Sequence, residues 1–128
     1  MDHNAVVAIC QNAIDTEYSY GKNDCNIVVL KLVDLLAGTE WEKQCRYKTL
    51  KGGFRQLKNL GAESTFDLIK EQLEEVTVLI DGDIFIAKND IHSMGIVISG
   101  RLLAVNTEHT EFKLVPTRED GTYYRIRK

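Results

Sequence analysis

The chain has 128 residues, 44% of them hydrophobic and 27% charged, with a formal net charge of −3 and a pI near 5.6. These values are typical of one globular domain, assigned here to residues 1–128, with enough chain to form a core. The acidic balance argues against a nucleic-acid-binding protein, and no stretch approaches the roughly 20 apolar residues that a membrane span needs.

The first half of the chain has the apolar spacing of helices. The predicted helical segments are Asn4 (as the cap) to about Thr16, a central helix between Asp24 and Gly38, Leu50 to Leu60, and Ser64 (as the cap) to about Glu75. Residues 41–47, between the second and third of these, are polar and amphipathic. They are expected to form a short helix or an irregular cover.

From residue 76 onward the apolar period changes to two, which is typical of strands. The predicted strands are Val76–Ile80, Ile84–Ala87, Met94–Ser99, Leu102–Asn106, Phe112–Val115 and Tyr123–Ile126. Helices followed by strands with short connections predict an α+β fold, in which a buried central helix packs on a C-terminal antiparallel sheet of about five or six strands.

Cys25 occupies the first turn of the central helix, which is apolar on nearly every side and is therefore expected to be buried. Asp24 is a natural N-cap, and Gly38 is a natural residue to end the helix. Because free N–H groups at a helix start stabilise an anion, the Cys25 thiol is expected to ionise readily and to act as a nucleophile. The alternative is that Cys25 is simply a small buried apolar residue.

The other two cysteines, Cys10 and Cys45, make the total odd, and the spacing of the three matches no zinc-binding pattern. We predict no disulfide framework, no metal site and no cofactor. The N-terminus has no basic region before its short apolar run, so no secretory signal is predicted.

A thiol nucleophile needs a base, and the best candidate is His92, at the start of a predicted strand. The alternative is that His92 is a strand-entry residue with no role. His109 lies in a polar turn and is most simply a solvated loop residue, and His3 lies near the N-terminus.

Three motifs in this order carry a resemblance to a known family. They are Tyr20-Gly-Lys-Asn-Asp-Cys25 opening the buried helix, Gly82-Asp83-Ile84-Phe85, and His92 followed by Gly95-Ile-Val-Ile98 and a strand with a polar end. From about Tyr20 to Val115 the chain resembles the NlpC-like cysteine peptidases, which are small papain-like endopeptidases of bacterial cell walls. The compact versions found among bacteriophage proteins are especially similar.

The resemblance implies a catalytic site of Cys25 as nucleophile, His92 as general base and Asn106 as the residue that orients the imidazole. It implies that Gly82 and Asp83 form a structural turn into a strand. The family glycine stands two residues after the histidine, whereas Gly95 stands three after His92. Strict alternation from a helix-facing Gly95 would turn Ser93 towards the helix instead of His92, unless a bulge at Ser93-Met94 restores the direction.

The function implied by the resemblance is cleavage of an amide bond in peptidoglycan stem peptides, or in a similar peptide-like substrate, by a phage-encoded cysteine peptidase or amidase. The alternative is a catalytically inactive NlpC-like domain that serves as a structural or adaptor part of a phage tail or virion, with other phage structural proteins as partners. The expected location is the host cytoplasm or the virion.

Overall fold

Four α-helices precede a six-stranded antiparallel sheet in residues 3–127, the part of the chain that this computed structural model describes. The helices are α1 (His3–Asp15), α2 (Cys25–Ala37), α3 (Leu50–Asn59) and α4 (Thr65–Ile69), with 3₁₀ turns at Glu42–Gln44 and Lys70–Gln72. The strands are β1 (Leu73–Val76), β2 (Ile84–Ala87), β3 (Met94–Ile98), β4 (Arg101–Val105), β5 (Phe112–Val115) and β6 (Gly121–Ile126). The sheet order is β1-β6-β2-β3-β4-β5, so the predicted α+β class is confirmed.

Helix α2 is the most buried helix, as its all-round apolar sequence predicted. Six of its residues are buried, against three in α1, although the two helices have the same length of 13 residues. The Asp24 side chain caps its start by accepting from the backbone N–H of Ile27, and Gly38 ends it with a φ of 74°. Its face packs on β3, so the sheet covers the helix that Cys25 begins.

The helix predicted to run to about Glu75 is wrong in its second half, because α4 ends at Ile69 and β1 begins at Leu73. The strand predicted over Val76–Ile80 is correspondingly displaced towards the N-terminus. Residues 73–76 pair with β6, with Leu73 opposite Ile126, and this pairing supplies backbone hydrogen bonds that a helix would have made locally. Tertiary pairing therefore overrides local propensity here.

The two faces of β3 belong to different clusters of the core. Met94, Ile96 and Ile98 pack in the cluster that contains α2, whereas Val97 packs in a smaller cluster on the other face of the sheet. The strand ends at Ile98 instead of the predicted Ser99, because Ser99 and Gly100 form a tight turn with φ values of 52° and 71°. This turn starts β4 at Arg101, one residue before the predicted start.

Gly82 and Asp83 form the turn into β2 that the sequence predicted. Gly82 has a φ of 94° and donates its N–H to the Val97 carbonyl. The buried Asp83 carboxylate accepts from the Ile80 N–H at 2.9 Å and from two guanidinium nitrogens of Arg125, each at 3.0 Å. This pair joins the turn to β6.

Two features are absent from residues 3–127: a membrane-spanning helix and a metal-binding cluster. No helix in this range has both the length and the apolar character needed to cross a membrane. Nor does this range contain a group of three or more His, Cys, Asp and Glu side chains that is arranged to hold a metal ion.

Candidate functional site

Cys25 lines a cleft between α3 and the turn that precedes β3. The cleft has a smaller part of about 60 Å³ and a larger part of about 240 Å³, which share the lining residues Tyr18, Tyr20, Cys25, Leu50, Phe54, His92 and Met94. Residue Cys25 is partly exposed, whereas Cys10 and Cys45 are buried. Cys25 is thus the cysteine that a molecule entering this cleft would meet first.

His92 contacts Cys25 through its main-chain carbonyl and not through its imidazole ring. The Cys25 thiol donates to the His92 carbonyl oxygen, with 3.4 Å between sulfur and oxygen, and the His92 ring packs on Phe54 with 4.6 Å between ring centroids. Within residues 3–127 no hydrogen bond joins the sulfur to an imidazole nitrogen. The reason is local: the His92 N–H donates to the Asp90 side chain, and this turn directs the carbonyl towards the thiol.

The expectation that Gly95, and with it Ser93, faces the central helix is wrong, because the alternation along β3 has the opposite parity. Met94 faces α2, and β3 begins there without a bulge in its pairing to β2, where Ile86 lies opposite Met94. A Cβ on Gly95 would lie 2.7 Å from the Leu103 carbonyl oxygen, so this position is a glycine because the neighbouring strand lies so close.

Asn106 does not take the predicted place beside the imidazole. Its side-chain oxygen accepts from the N–H groups of Thr110 and Glu111, and its side-chain nitrogen donates to the Thr110 hydroxyl. The amide is therefore engaged in closing the loop after β4. The pairing of β3 with β4, continued beyond its ends, would also set Asn106 beside Ser93 instead of His92.

The expectation of a readily ionised thiol is also wrong. Burial, and after it the charge of the Asp24 carboxylate, raise the pKa of the Cys25 thiol from 9.0 to about 12. Backbone hydrogen bonds at the helix start and from Met94 lower the pKa, but by less. The helix start thus holds a protonated thiol, because desolvation outweighs the favourable backbone groups.

A chain of hydrogen-bonded polar groups, partly or fully buried, holds both neighbours of Cys25. The Tyr47 hydroxyl donates to the Asp24 carboxylate at 2.6 Å and accepts from the Asn26 side-chain nitrogen at 2.9 Å. Thr65, the first residue of α4, donates its hydroxyl to the Asn26 side-chain oxygen. Burial and the Asp24 charge raise the pKa of the Tyr47 hydroxyl, which therefore keeps the proton that it donates.

Tyr47 and Thr65 were missed in the sequence because no local pattern places them near residue 25. A weak signal was present: Gly21, in the turn before the helix, has a φ of 84°, and a Cβ there would lie 1.8 Å from the Tyr47 carbonyl oxygen. A glycine in a non-helical turn beside Asp24 indicates close approach by another segment. It does not indicate which segment approaches.

Comparison with known proteins gives one match. A family model described as a domain of unknown function (DUF6950) matches residues 2–126. The chain belongs to the DUF6950 family. No curated protein matches the chain, and no solved structure matches it. The function of this DUF6950 domain must therefore be inferred from the cleft.

A second histidine lines the same cleft. His109, expected to be a solvated loop residue, is exposed as predicted, but it also lines the larger part of the cleft with His92 and Cys25. Its ring contacts Tyr18 with 6.3 Å between centroids, and its backbone has a φ of 56°. The cleft of this DUF6950 domain therefore offers two imidazoles to one thiol.

Proposed function

We propose that this cleft hydrolyses amide bonds, with Cys25 as the nucleophile and His92 as the general base. The observation that carries the proposal is a partly exposed cysteine as the first residue of a buried helix, in a cleft that His92 also lines. Nucleophile and base on different elements around one cleft are what acyl transfer requires.

The reaction would proceed through a thioester on Cys25. The sulfur bonds to the amide carbon as the imidazole takes the thiol proton, and the backbone N–H of Cys25 at the helix start would stabilise the oxyanion. The carbon–nitrogen bond then breaks and the imidazole returns the proton to the leaving amine. Water, activated by the same base, finally hydrolyses the thioester.

The protonated state of the thiol makes the base essential. With a thiol pKa of about 12, almost no thiolate exists near neutral pH, so the proton must leave as the sulfur attacks. The mechanism requires the His92 ring to leave its contact with Phe54 and to approach the thiol. The proposed mechanism therefore predicts that the rate of amide hydrolysis depends strongly on His92.

The proposed substrate is a peptidoglycan stem peptide or a similar peptide-like amide, and the proposed setting is a phage-encoded enzyme in the host cytoplasm or in the virion. Both come from the resemblance to the NlpC-like peptidases. The likeness of motif order, with Cys25 and His92 in one cleft, supports them.

Two observations favour the rival proposal, an inactive domain that serves as a structural or adaptor part of a virion. The thiol donates to a main-chain carbonyl instead of to an imidazole, and the Asn106 amide is engaged in its own loop. In that case the cleft would bind a partner segment without cleaving it.

Digestion of soluble peptidoglycan fragments, followed by mass analysis, tests the choice. The wild-type domain is compared with Cys25→Ala, His92→Ala and His109→Ala. Hydrolysis that disappears in Cys25→Ala and His92→Ala but persists in His109→Ala supports the proposal. Hydrolysis that survives Cys25→Ala, or its absence in the wild-type domain across a panel of peptide amides, contradicts it.

Iodoacetamide labelling of the three cysteines provides a control that needs no substrate. Cys25 should react first because it alone of the three lines the cleft and is partly exposed, whereas Cys10 and Cys45 are buried. Labelling of Cys25 that is no faster than that of Cys10 and Cys45 would show that the cleft gives its thiol no advantage in access. The rival proposal would then be preferred.

A further inference from the structure

We infer that Leu50 and Phe54 form an apolar wall of the cleft that selects substrates with a large apolar or aromatic side chain beside the scissile amide. This inference rests on the proposed function, since it names the substrate class of the same site. The wall is defined as these two side chains of α3.

The wall is the exposed part of the apolar face of α3. Gly53 and Leu57, on the same face, are buried, whereas Leu50 is 50% exposed and Phe54 is 42% exposed. Leu50 and Phe54 are four residues apart, so they lie on one face of the helix. Exposed apolar groups that adjoin one another at a cleft mark a binding surface.

The wall is joined to the reacting groups. Both of its residues line the smaller and the larger parts of the cleft together with Cys25. The Phe54 ring is also the group on which the His92 ring packs, with 4.6 Å between centroids. A side chain that covers the wall would therefore bring its neighbouring amide to the Cys25 sulfur.

Polar side chains line both parts of the cleft. In the smaller part Asp24, Asn26, Tyr47 and Thr65 hydrogen-bond to one another. The larger part adds Asp90, His109 and Arg118, of which Arg118 is already paired with Asp120 and stacked over Phe85. The apolar part of a ligand is thus matched by the wall, and its polar remainder by the larger part. Among peptide-like amides, those with a large apolar residue beside the scissile bond should therefore be preferred.

Alkylation of Cys25 by two reagents with the same electrophile tests the wall without requiring hydrolysis. The reagents are chloroacetamide and N-benzylchloroacetamide, and the rate at Cys25 is followed by peptide mass analysis at one fixed alkaline pH. The ratio of the benzyl rate to the parent rate reports the wall alone, because any change in thiol reactivity affects both rates. Burial of part of a benzyl group predicts a ratio higher by roughly tenfold than in a domain without the wall.

The ratio should fall by about tenfold in Phe54→Ala and several-fold in Leu50→Ala, and Phe54→Leu should retain part of it. Leu35→Ala is the matched control, because Leu35 is 41% exposed on α2 and outside the cleft lining, and it should leave the ratio unchanged. An unchanged ratio in both wall variants overturns the inference. If the wall variants lose the preference for the benzyl reagent and the wild-type domain hydrolyses no amide, the wall is supported and only the proposed function is rejected.

Discussion

Two buried carboxylates, Asp24 and Asp83, are satisfied in different ways. Asp83, 1% exposed at the turn into β2, is paired with the Arg125 guanidinium and accepts from one backbone N–H. Asp24, 3% exposed beside Cys25, accepts from the Gly21 and Ile27 N–H groups and from the Tyr47 hydroxyl. Within residues 3–127 no ion pair joins Asp24 to a cation.

The difference distinguishes Asp83, a carboxylate that only stabilises the fold, from Asp24, a carboxylate that changes the pKa of a neighbouring thiol. A countercharge cancels the field of Asp83, so its effect is confined to holding β2 and β6 together. The neutral donors around Asp24 stabilise the carboxylate without cancelling its charge, and that charge reaches the thiol and raises its pKa. An uncompensated buried charge beside a candidate nucleophile is a feature of functional sites more than of cores.

The largest effect expected concerns the Asp83 pair. Arg125→Met should reduce the free energy of unfolding by about 3–5 kcal/mol, because it leaves the Asp83 carboxylate buried without a countercharge. Chemical denaturation measures this. Lys113→Met, at an exposed pair with Glu111, is the control and should cost under about 1 kcal/mol. A loss for Arg125→Met as small as the control's would remove the contrast between the two carboxylates.

Substitutions of buried apolar side chains in α2 give a reference for the size of these losses in the free energy of unfolding. Leu32→Ala or Val29→Ala should cost roughly 2–4 kcal/mol, since both side chains are fully buried and would leave cavities. Leu35→Ala, in the same helix but partly exposed, should cost clearly less in the same denaturation experiment. Equal costs for the buried and the exposed leucine would contradict the central position of α2.

Asp24→Asn should lower the thiol pKa from about 12 towards 9.0, without reaching it because desolvation is the larger cause. Asparagine keeps the N-cap, so the helix start should persist. The measurement is the pH dependence of Cys25 alkylation, whose rise should move to lower pH. Asp34→Asn is the matched control, because Asp34 also accepts backbone hydrogen bonds within the fold but is not among the groups that shift Cys25. An identical profile in both variants would contradict the role given to the Asp24 charge.

Tyr47→Phe removes one hydroxyl and keeps the ring that packs beside Gly53. It should cost about 1 kcal/mol in thermal or chemical unfolding, since Asp24 loses one of three donors. A change in the Cys25 alkylation profile is also expected, because the hydroxyl is the donor nearest the uncompensated charge. If stability falls while the profile does not move, Tyr47 is structural only.

Cys25→Ala should have the smallest effect near neutral pH, where the buried thiol is neutral. Because the folded pKa of about 12 lies above the unfolded value near 9, the thiol's contribution is complete below about pH 9 and is lost as pH rises towards 12. Cys25→Ala should therefore lose less stability than the wild-type domain across that interval, as alkaline denaturation curves would measure. Parallel curves would contradict the raised pKa.

Much of the fold followed from local chemistry in the sequence. The caps Asp24 and Gly38 and the Gly82-Asp83 turn depend on neighbours within a few residues, and the apolar run between the caps indicated which helix the fold buries. The change of period after residue 75 likewise determined the order of helices and strands, although the limits of β1 depended on its pairing with β6.

Only the tertiary structure decided the chemistry of the cleft. That the His92 carbonyl and not its ring meets the thiol, that Asn106 closes its own loop, and that Tyr47 reaches Asp24 all depend on segments distant along the chain. The thiol pKa depends on how deeply the packed fold buries Cys25, and the motif around residue 25 carries no information about that depth. Hydrogen bonds between neighbours are encoded in short patterns, whereas burial and long-range orientation are properties of the folded chain as a whole.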